Sequence, residues 1–576
     1  MKLPRPRFRT IPTPVIIIIE AIFVFSHVRT DPDPYHSGFV YAQSIAVQNG
    51  LLPNVNFLSP YGLVGPLING LWLKLTSDSL LSLLVFYGTI TIVTGYLIQS
   101  SIRRYVPDQL AKLINLTWVV TLATAMPWPS ILTTFLTLFA ILQLLRNLER
   151  MVSASIERHY YVVPVVIALQ LAVLTRIHLF ITPFVISVFI IINRKKVNPR
   201  FVKTWLVTNI AFACFLTFLL KALGILMPFI DQAIIWPLTA FENPRMNFSF
   251  FFSFIWFPSA LFILIALVRL VLYISKINKS KSATFLGSLF VLSIFYCLYY
   301  FSVYEFVGSR TNTLRTLPGF IKTASINFQH LLGYASAMAA IIGFLFLLLK
   351  NLSRGKRFES LSKSMEFGLM GSLGITGWIQ LYPLHDNVHL WFVTPLFIVP
   401  AAYYLKESVK NISMYTKPLA LVFSMFLIVQ SYSFYSFLSI DRVPLSSSEL
   451  QGMMASTQYR DTTDKTMVLL DKYISERSLR NNCKASLFSV SNRTYQSIDG
   501  NFSDNFFGNL AKSTPIVDPS RDQPEYVFEC GINDQKKQSI MTSGFETVFE
   551  VDLTIKASSD VKLYNVLFRR VSTLTK

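Results

Sequence analysis

Charge is scarce in this chain. Of 576 residues only 14% are Asp, Glu, Lys or Arg, while 52% are hydrophobic and the mean hydropathy is +0.47. That balance excludes an ordinary soluble globular domain and an intrinsically disordered one. Cysteine is scarcer still, at four residues, with no CxxC spacing, which excludes a zinc-ribbon or redox motif. No tract repeats at 20–50 residues and no low-complexity stretch occurs, so solenoids are excluded. Acidic residues are few against basic ones, and the formal charge is +21. In a soluble domain that excess would suggest nucleic acid. Here the Lys and Arg residues sit in short segments between apolar runs, so no nucleic-acid partner is expected.

What is there instead is a series of long apolar runs. The first, Ile11 to Val28, can cross a bilayer, since about 20 apolar residues rising 1.5 Å each cover roughly 30 Å. The basic MKLPRPRFR before it resembles the start of a signal peptide, but the run is long for an h-region and no A-x-A-like cleavage site follows. A retained first helix with a cytoplasmic N-terminus is expected. Further spans are expected near 80–101, 111–128, 129–146, 160–175, 179–193, 202–227, 250–273, 284–303, 328–349, 366–383, 389–405 and 418–437. This gives an all-α polytopic bundle of about thirteen transmembrane helices.

The basic segments fall in phase with that count. Arg103, Arg104 and Lys112 lie on the side of the N-terminus, as do Arg146, Arg150 and Arg158, and Arg194 to Lys203. Lys276, Lys279 and Lys281, then Arg354 to Lys363, then Lys406, Lys410 and Lys417 continue the series. An excess of positive charge on cytoplasmic loops predicts this alternation. It also requires that Leu63 to Leu75, short and interrupted by Pro66 and two glycines, does not cross. The expected protein is a multi-pass plasma (inner) membrane protein, with a membrane domain over about 1–440 and a first outer loop over about 29–79. A small extracytoplasmic α/β domain is expected over 441–576, carrying short alternating runs at 466–470, 485–490, 525–528 and 562–567. Cys483 and Cys530 lie in this tail and could pair in an oxidising compartment.

The first outer loop opens TDPDPYHSGFVYAQSIAVQNGLLPNVNFLSPYG. Asp33-Pro34 is a good helix start and Asn49-Gly50 a good stop, with Phe39, Ala42, Ile45 and Ala46 at helical spacing between them. Such a helix could lie on the membrane surface. Capping accounts for Asp33, but not for Asp31 two residues earlier or His36 a turn later. Acids at the mouth of a membrane helix can act as a general base or hold a cation. On the outer side, Arg310, Arg315 and Lys322 share one loop and Arg245 sits in another, while Arg176 and His178 lie at a break between spans. Each can meet a phosphate or simply snorkel to the interface. His385, Asp386 and His389 start a late helix. With Asp31 and Asp33 they are competent ligands for a divalent cation, or else a capping Asp with solvated histidines. Glu20, alone in the first span, has no assigned role.

This pattern resembles the C-type superfamily of membrane glycosyltransferases, in particular the branch of lipid A aminoarabinose transferases and protein O-mannosyltransferases. Asp33, Pro34, His36, Gly38, Gly50, Phe57, Tyr61 and Gly62 fall on D-P-x-H-[DE]-G … G-x-x-x-x-x-x-F-x-x-x-Y-G. Asp386, His389 and Pro395 match the late R-P-D-x-x-H-L-x-x-x-x-P element. The resemblance covers the membrane part and not the tail. It implies transfer of a sugar from a polyprenyl-phosphate donor to a lipid, glycan or protein acceptor of the cell envelope. Asp33 would be the base, assisted by Asp31 and His36; the cations above would meet the donor phosphate, and Tyr61, His178, Asp386 and His389 would line the substrate pocket. One departure matters: Ser37 stands where the family usually has an acid before the loop glycine. A flippase for a lipid-linked saccharide, or a non-catalytic envelope-assembly protein, are the other classes the sequence admits.

Overall fold

The computed structural model describes residues 11–30, 32, 36–57, 59, 61–121, 127–152, 159–235, 332–349, 360–381, 387–408, 413–473, 479–481, 525–553 and 562–571. The expected spans at 250–273 and 284–303 lie outside the described residues, as do Cys483 and the run 485–490. The fold is mostly helical, with a small sheet near the C-terminus.

The helices are α1 (Thr13–Val28), α2 (His36–Gln48), α3 (Val64–Leu75), α4 (Leu80–Ile102), α5 (Asp108–Val120), α6 (Pro129–Arg146), the short α7 (Leu148–Val152) and α8 (Val162–Thr175). They continue with α9 (Ile181–Ile192), α10 (Pro199–Ala222), the short α11 (Leu226–Ile230), α12 (Leu332–Leu349), α13 (Leu361–Gln380), α14 (Asn387–Ser408) and α15 (Ser413–Leu438). Their starts follow local chemistry. The Ser79 hydroxyl accepts from Ser82 N at 3.3 Å, Asn198 Oδ1 from Arg200 N at 2.9 Å and Ser360 Oγ from Lys363 N at 3.2 Å, each satisfying an end donor. Pro129 opens α6, where its missing N–H costs nothing. Among the described residues four helices, α4, α6, α10 and α12, are long and apolar enough to cross a membrane; α1, α8 and the stretch Ile177–Ile192 are apolar but shorter. Val207, Ile210, Phe215 and Phe218 stand exposed along α10, as lipid-facing side chains would.

Basic segments gather at one end of the bundle. Arg104 Nη1 donates to Leu145 O at 3.0 Å and Lys406 Nζ to Arg104 O at 3.2 Å, which ties together the ends of α4, α6 and α14, while Lys112 Nζ donates to Ile11 O at 2.9 Å, tying the start of α5 to that of α1. Tyr105, between α4 and α5, donates to Glu366 Oε1 at 2.6 Å. Burial, reinforced by that carboxylate, holds its phenol well above the usual range. Glu20 is fully buried, and its Oε1 accepts from Asn115 Nδ2 at 2.7 Å, so the lone acid of the first span has a partner.

The opposite end carries the first outer loop. α3 starts beside the end of α8, where Leu63 N donates to Leu174 O at 2.8 Å. It finishes beside the start of α4, with Trp72 Nε1 donating to Ser82 O at 3.0 Å. Both ends of α3 therefore lie at the same end of the bundle, as a juxtamembrane helix requires. α2 stops as its sequence predicts. Gly50 adopts φ +88°, Leu51 N donates to Ala46 O at 3.0 Å and Gly50 N to Val47 O at 2.9 Å, which together form a Schellman cap. One expectation is corrected here. α2 does not lie on a surface with one face open: residues 37–46 are buried on every side, Gln43 and Ser44 included. Gly70 allows α3 close in, since a Cβ there would sit 2.6 Å from Val47 Cβ, and so the helix is enclosed rather than amphipathic in its setting.

Past Ser439 the chain turns into a mixed domain. β1 (Val443–Pro444) pairs with β2 (Met454–Ala455), and a sheet of order β3-β4-β6-β5 joins β3 (Leu479–Asn481), β4 (Tyr526–Ile532), β5 (Phe545–Asp552) and β6 (Tyr564–Arg570). Only β3–β4 is parallel. Period-two alternation buries both faces: Phe528 and Leu567 on one, Val527, Val566 and Phe568 on the other. α16 (Lys465–Tyr473) meets the first face and α17 (Asp534–Thr542), through Ile540, the second. The run 466–470, read from sequence with the alternating stretches, is thus helical. Thr466, Met467 and Leu470 are its buried positions, a spacing that only a helix puts on one side. The tail's core is also continuous with the bundle's, through Leu445, Leu450 and Met453. Cys530, on β4, is disulfide-bonded, whereas Cys214 is free and exposed.

Candidate active site

Three segments far apart in sequence meet at the loop end of the bundle. The first is the Tyr61-Gly62 pair. Gly62 has φ +116°, and a Cβ there would lie 2.3 Å from Leu174 O and 2.8 Å from Thr175 O. Only glycine lets the backbone press this closely against the end of α8. The loop before it is tied down by amides: Gln232 Oε1 accepts from Asn54 Nδ2 at 2.7 Å and Ser59 N at 3.1 Å, while Gln232 Nε2 returns to Asn54 O at 3.0 Å. Ser59 Oγ donates to Gly62 O at 2.6 Å. Tyr61 is held in consequence.

The second segment is the break between α8 and α9. Arg176 is extended at φ −145°, ψ 102°, ending α8, and a 3-10 turn at Ile177–Phe180 carries His178 before α9 begins. Arg176 is 3% exposed. Its Nη1 donates to Ser130 Oγ at 2.6 Å and to Gln380 O at 3.3 Å, so the start of α6 and the end of α13 both hold it. Its guanidinium carbon lies 5.7 Å from the Tyr61 ring centroid. Gln380 is itself fixed by Thr133 Oγ1, which donates to its Oε1 at 2.9 Å. His178 is half-buried, and its Nε2 is buried with no hydrogen-bond partner among the described residues.

The third segment is the start of α14. His389 is buried and meets the Trp128 ring edge-on at 6.0 Å. Trp128 meets Tyr61 at 5.1 Å, and Phe39 of α2 lies 6.1 Å from Tyr61 and 6.3 Å from Trp128. An aromatic wall thus runs from the first outer loop to the late helix, with a buried cation behind it.

Of the residues expected from sequence, the structure brings Tyr61, Arg176 and His389 together and puts His178 on the turn that follows Arg176. Asp31, Asp33, Asp386, Arg245, Arg310, Arg315 and Lys322 lie outside the described residues, as does the side chain of His36, whose backbone starts α2. The proposed base, most of the phosphate cations and the cation ligands other than His389 are therefore untouched by this geometry. Ser37, in the place of the family's acid, is 1% exposed. No group of three or more metal-ligating His, Cys, Asp or Glu side chains occurs among the described residues. Sequence reading missed Trp128, Ser130 and Gln380. The signal available for the first two was Pro127-Trp128-Pro129-Ser130 directly before an apolar run, a helix start that also places an aromatic and a hydroxyl at the interface.

No family model matches this chain, and no curated protein matches it. Solved structures of the Archaeoglobus fulgidus oligosaccharyltransferase are similar in outline. Its complex with Zn and sulfate aligns with TM-score 0.41 and 12% identity over 80% of this chain and 56% of that one. The archaeal oligosaccharyltransferase AglB from A. fulgidus, in complex with an inhibitory peptide and a dolichol-phosphate, aligns with TM-score 0.40 and 13% identity over 80% of this chain and 58% of that one. The chain thus spans less than two thirds of the length of these proteins.

Proposed function

We propose that this chain is a membrane glycosyltransferase of the C-type class, moving a sugar from a polyprenyl-phosphate donor to a lipid, glycan or protein acceptor on the outer face of the membrane. One observation carries the reading. The two stretches that resemble the family, 33–62 and 386–395, are remote in sequence, yet Tyr61 of one and His389 of the other flank the same Trp128, with Arg176 beneath Tyr61. A guanidinium buried at this junction is costly to desolvate, and its place against Tyr61 puts positive charge where the two stretches meet.

The chemistry asks little of the protein. The acceptor oxygen forms a bond to the anomeric carbon as the bond from that carbon to the phosphate oxygen breaks. The electron pair leaves with the polyprenyl phosphate, and the acceptor proton passes to a base. Asp33 is assigned as that base, with Asp31 and His36 beside it in sequence. Arg176, Arg245, Arg310, Arg315 and Lys322 are assigned to the charge that develops on the departing phosphate. His178, Asp386 and His389 are assigned with Tyr61 to the substrate pocket, and carboxylates with imidazole are competent to hold a divalent cation there. The orientation proposed is a cytoplasmic N-terminus, the basic end of the bundle inside, and the first outer loop and tail outside.

The test is transfer by purified protein offered a panel of polyprenyl-phosphate sugars. Asp33→Asn keeps the side chain's size and capping ability, so the protein folds and binds donor while transfer falls about 10²–10⁴-fold. Arg310→Ala with Arg315→Ala weakens donor binding instead. If Asp33→Asn and Asp31→Asn both transfer at the wild-type rate, the catalytic reading of this loop fails and the flippase or assembly readings take its place.

A further inference from the structure

A small cavity lies where α2 meets the start of the tail. It occupies about 100 Å³ between α2, the turn before α4 and the 3-10 helix Ser448–Leu450, and Tyr41, Gln48, Asn49, Asp78, Ser448 and Glu449 line it. Two of these are carboxylates, in a chain whose formal charge is +21. Asp78 is exposed on its turn. Glu449 is only 6% exposed, and its Oε2 is buried with no hydrogen-bond partner among the described residues. A carboxylate oxygen in that state is costly unless a positive charge or a donor completes it.

The lining decides between ligands. A saccharide would want an aromatic face to stack on, and Tyr41 is wholly buried with its hydroxyl donated to Asp78 O. A hard cation wants oxygens: Asp78 and Glu449 bring carboxylates, Gln48 and Asn49 bring amide carbonyls, and no imidazole or thiol lines the cavity among the described residues. A volume near 100 Å³ holds an ion and the few waters that complete its shell, at about 30 Å³ per water. Mg²⁺ demands near-ideal octahedral geometry, whereas Ca²⁺ accepts mixed and irregular oxygen sets.

We propose that this cavity is a Ca²⁺ site that clamps the start of the tail to the first outer loop. Gln48, Asn49 and Asp78 come from the loop and Glu449 from the tail, so an ion held here joins segments about 370 residues apart in sequence. Beside it runs a seam between the first helix's end and the start of the tail. Met454 N donates to Arg29 O at 2.9 Å, Arg29 Nε donates to Gly452 O at 3.0 Å, and Thr30 forms a single bridge with Met454. Gly452 packs directly on Leu81 of α4.

The test uses the full chain in nanodiscs, titrated with CaCl₂ and with MgCl₂ by calorimetry. One Ca²⁺ binds per chain at about 10⁻⁴–10⁻³ M, the weak end of the range that ligand charge count sets, and Mg²⁺ binds more weakly. Glu449→Gln and Asp78→Asn each weaken Ca²⁺ at least about tenfold, as loss of one of two carboxylates requires. Ca²⁺ slows exchange of the Met454 amide in wild type and not in Glu449→Gln. Without Ca²⁺, Glu449→Gln melts no lower than wild type, because the amide removes an uncompensated buried charge; should it fail to fold, Asp78→Asn on its exposed turn carries the test. No binding at millimolar Ca²⁺, or binding unchanged in the variants, overturns the proposal. None of these readouts uses transfer, so its failure leaves the transferase reading standing.

Discussion

Replacing Gly62 by alanine strikes the contact that seats the first outer loop on the end of α8. Two costs add. At φ +116° a side chain is strained, by about 1–3 kcal/mol. The new Cβ would also lie 2.3 Å from Leu174 O, 2.8 Å from Thr175 O and 2.9 Å from Thr175 C, all backbone atoms that cannot swing aside. Relieving them moves the chain by roughly 1 Å, at the ~1–3 kcal/mol typical of overpacking. A sum of about 2–6 kcal/mol shifts local opening by roughly 1.5–4 decades, at about 1.4 kcal/mol per decade. The assay is hydrogen exchange at the Leu63 amide, which donates to Leu174 O at 2.8 Å and reports that contact directly. Gly50→Ala is the control. Gly50 shares a positive φ, +88°, but an added Cβ there meets nothing within 4 Å, so only strain acts and exchange at Leu63 rises far less. Transfer should fall with Gly62→Ala through weaker donor binding, since Tyr61 moves off Arg176. Exchange at Leu63 within about threefold of wild type, or equal loosening by Gly50→Ala, would refute the reasoning.

Three further outcomes follow from the same geometry. Arg176→Met should cost about 2–5 kcal/mol in thermal or denaturant stability and abolish donor binding, because Ser130 Oγ and Gln380 O lose their buried donor; Arg176→Lys, a point charge without the fork, should restore part of the first and little of the second. Reporters at Ser360, which caps α13 at the basic end, and at Ser446, beside the seam at the loop end, should read opposite sides of the membrane; both on one side would overturn the orientation. Cys530 should resist maleimide until reduction, and Cys483→Ser should free it without reductant if the two tail cysteines pair; a Cys530 that labels without reduction would contradict the bond.

Much of this fold was legible because its signals are local. Apolar length and Asn49-Gly50 as a stop act within one or two turns, and the structure places the corresponding elements there. The meeting of basic residues from separate segments, Arg104, Lys112 and Lys406, at one end of the bundle was legible for a related reason. Lys and Arg are excluded from the hydrocarbon one by one, so each loop records its side without reference to the others. Even the 466–470 run carried its answer, in the spacing of Thr466, Met467 and Leu470, though five residues are too few for periodicity to tell helix from strand.

The sequence by itself determined that apolar spans alternate with basic segments, that a polar tail follows, and that Arg176 and His389 belong to ends of helices rather than their middles. What only the tertiary structure decided is which ends meet. Trp128 between Tyr61 and His389, Ser130 and Gln380 on Arg176, the burial of α2 on every side, and Glu449 of the tail lining one cavity with Asp78 of the first loop are meetings across tens to hundreds of residues. No local preference encodes them. They arise because an enclosed helix end must find partners for its polar groups wherever packing brings them, and that is fixed by the whole bundle at once.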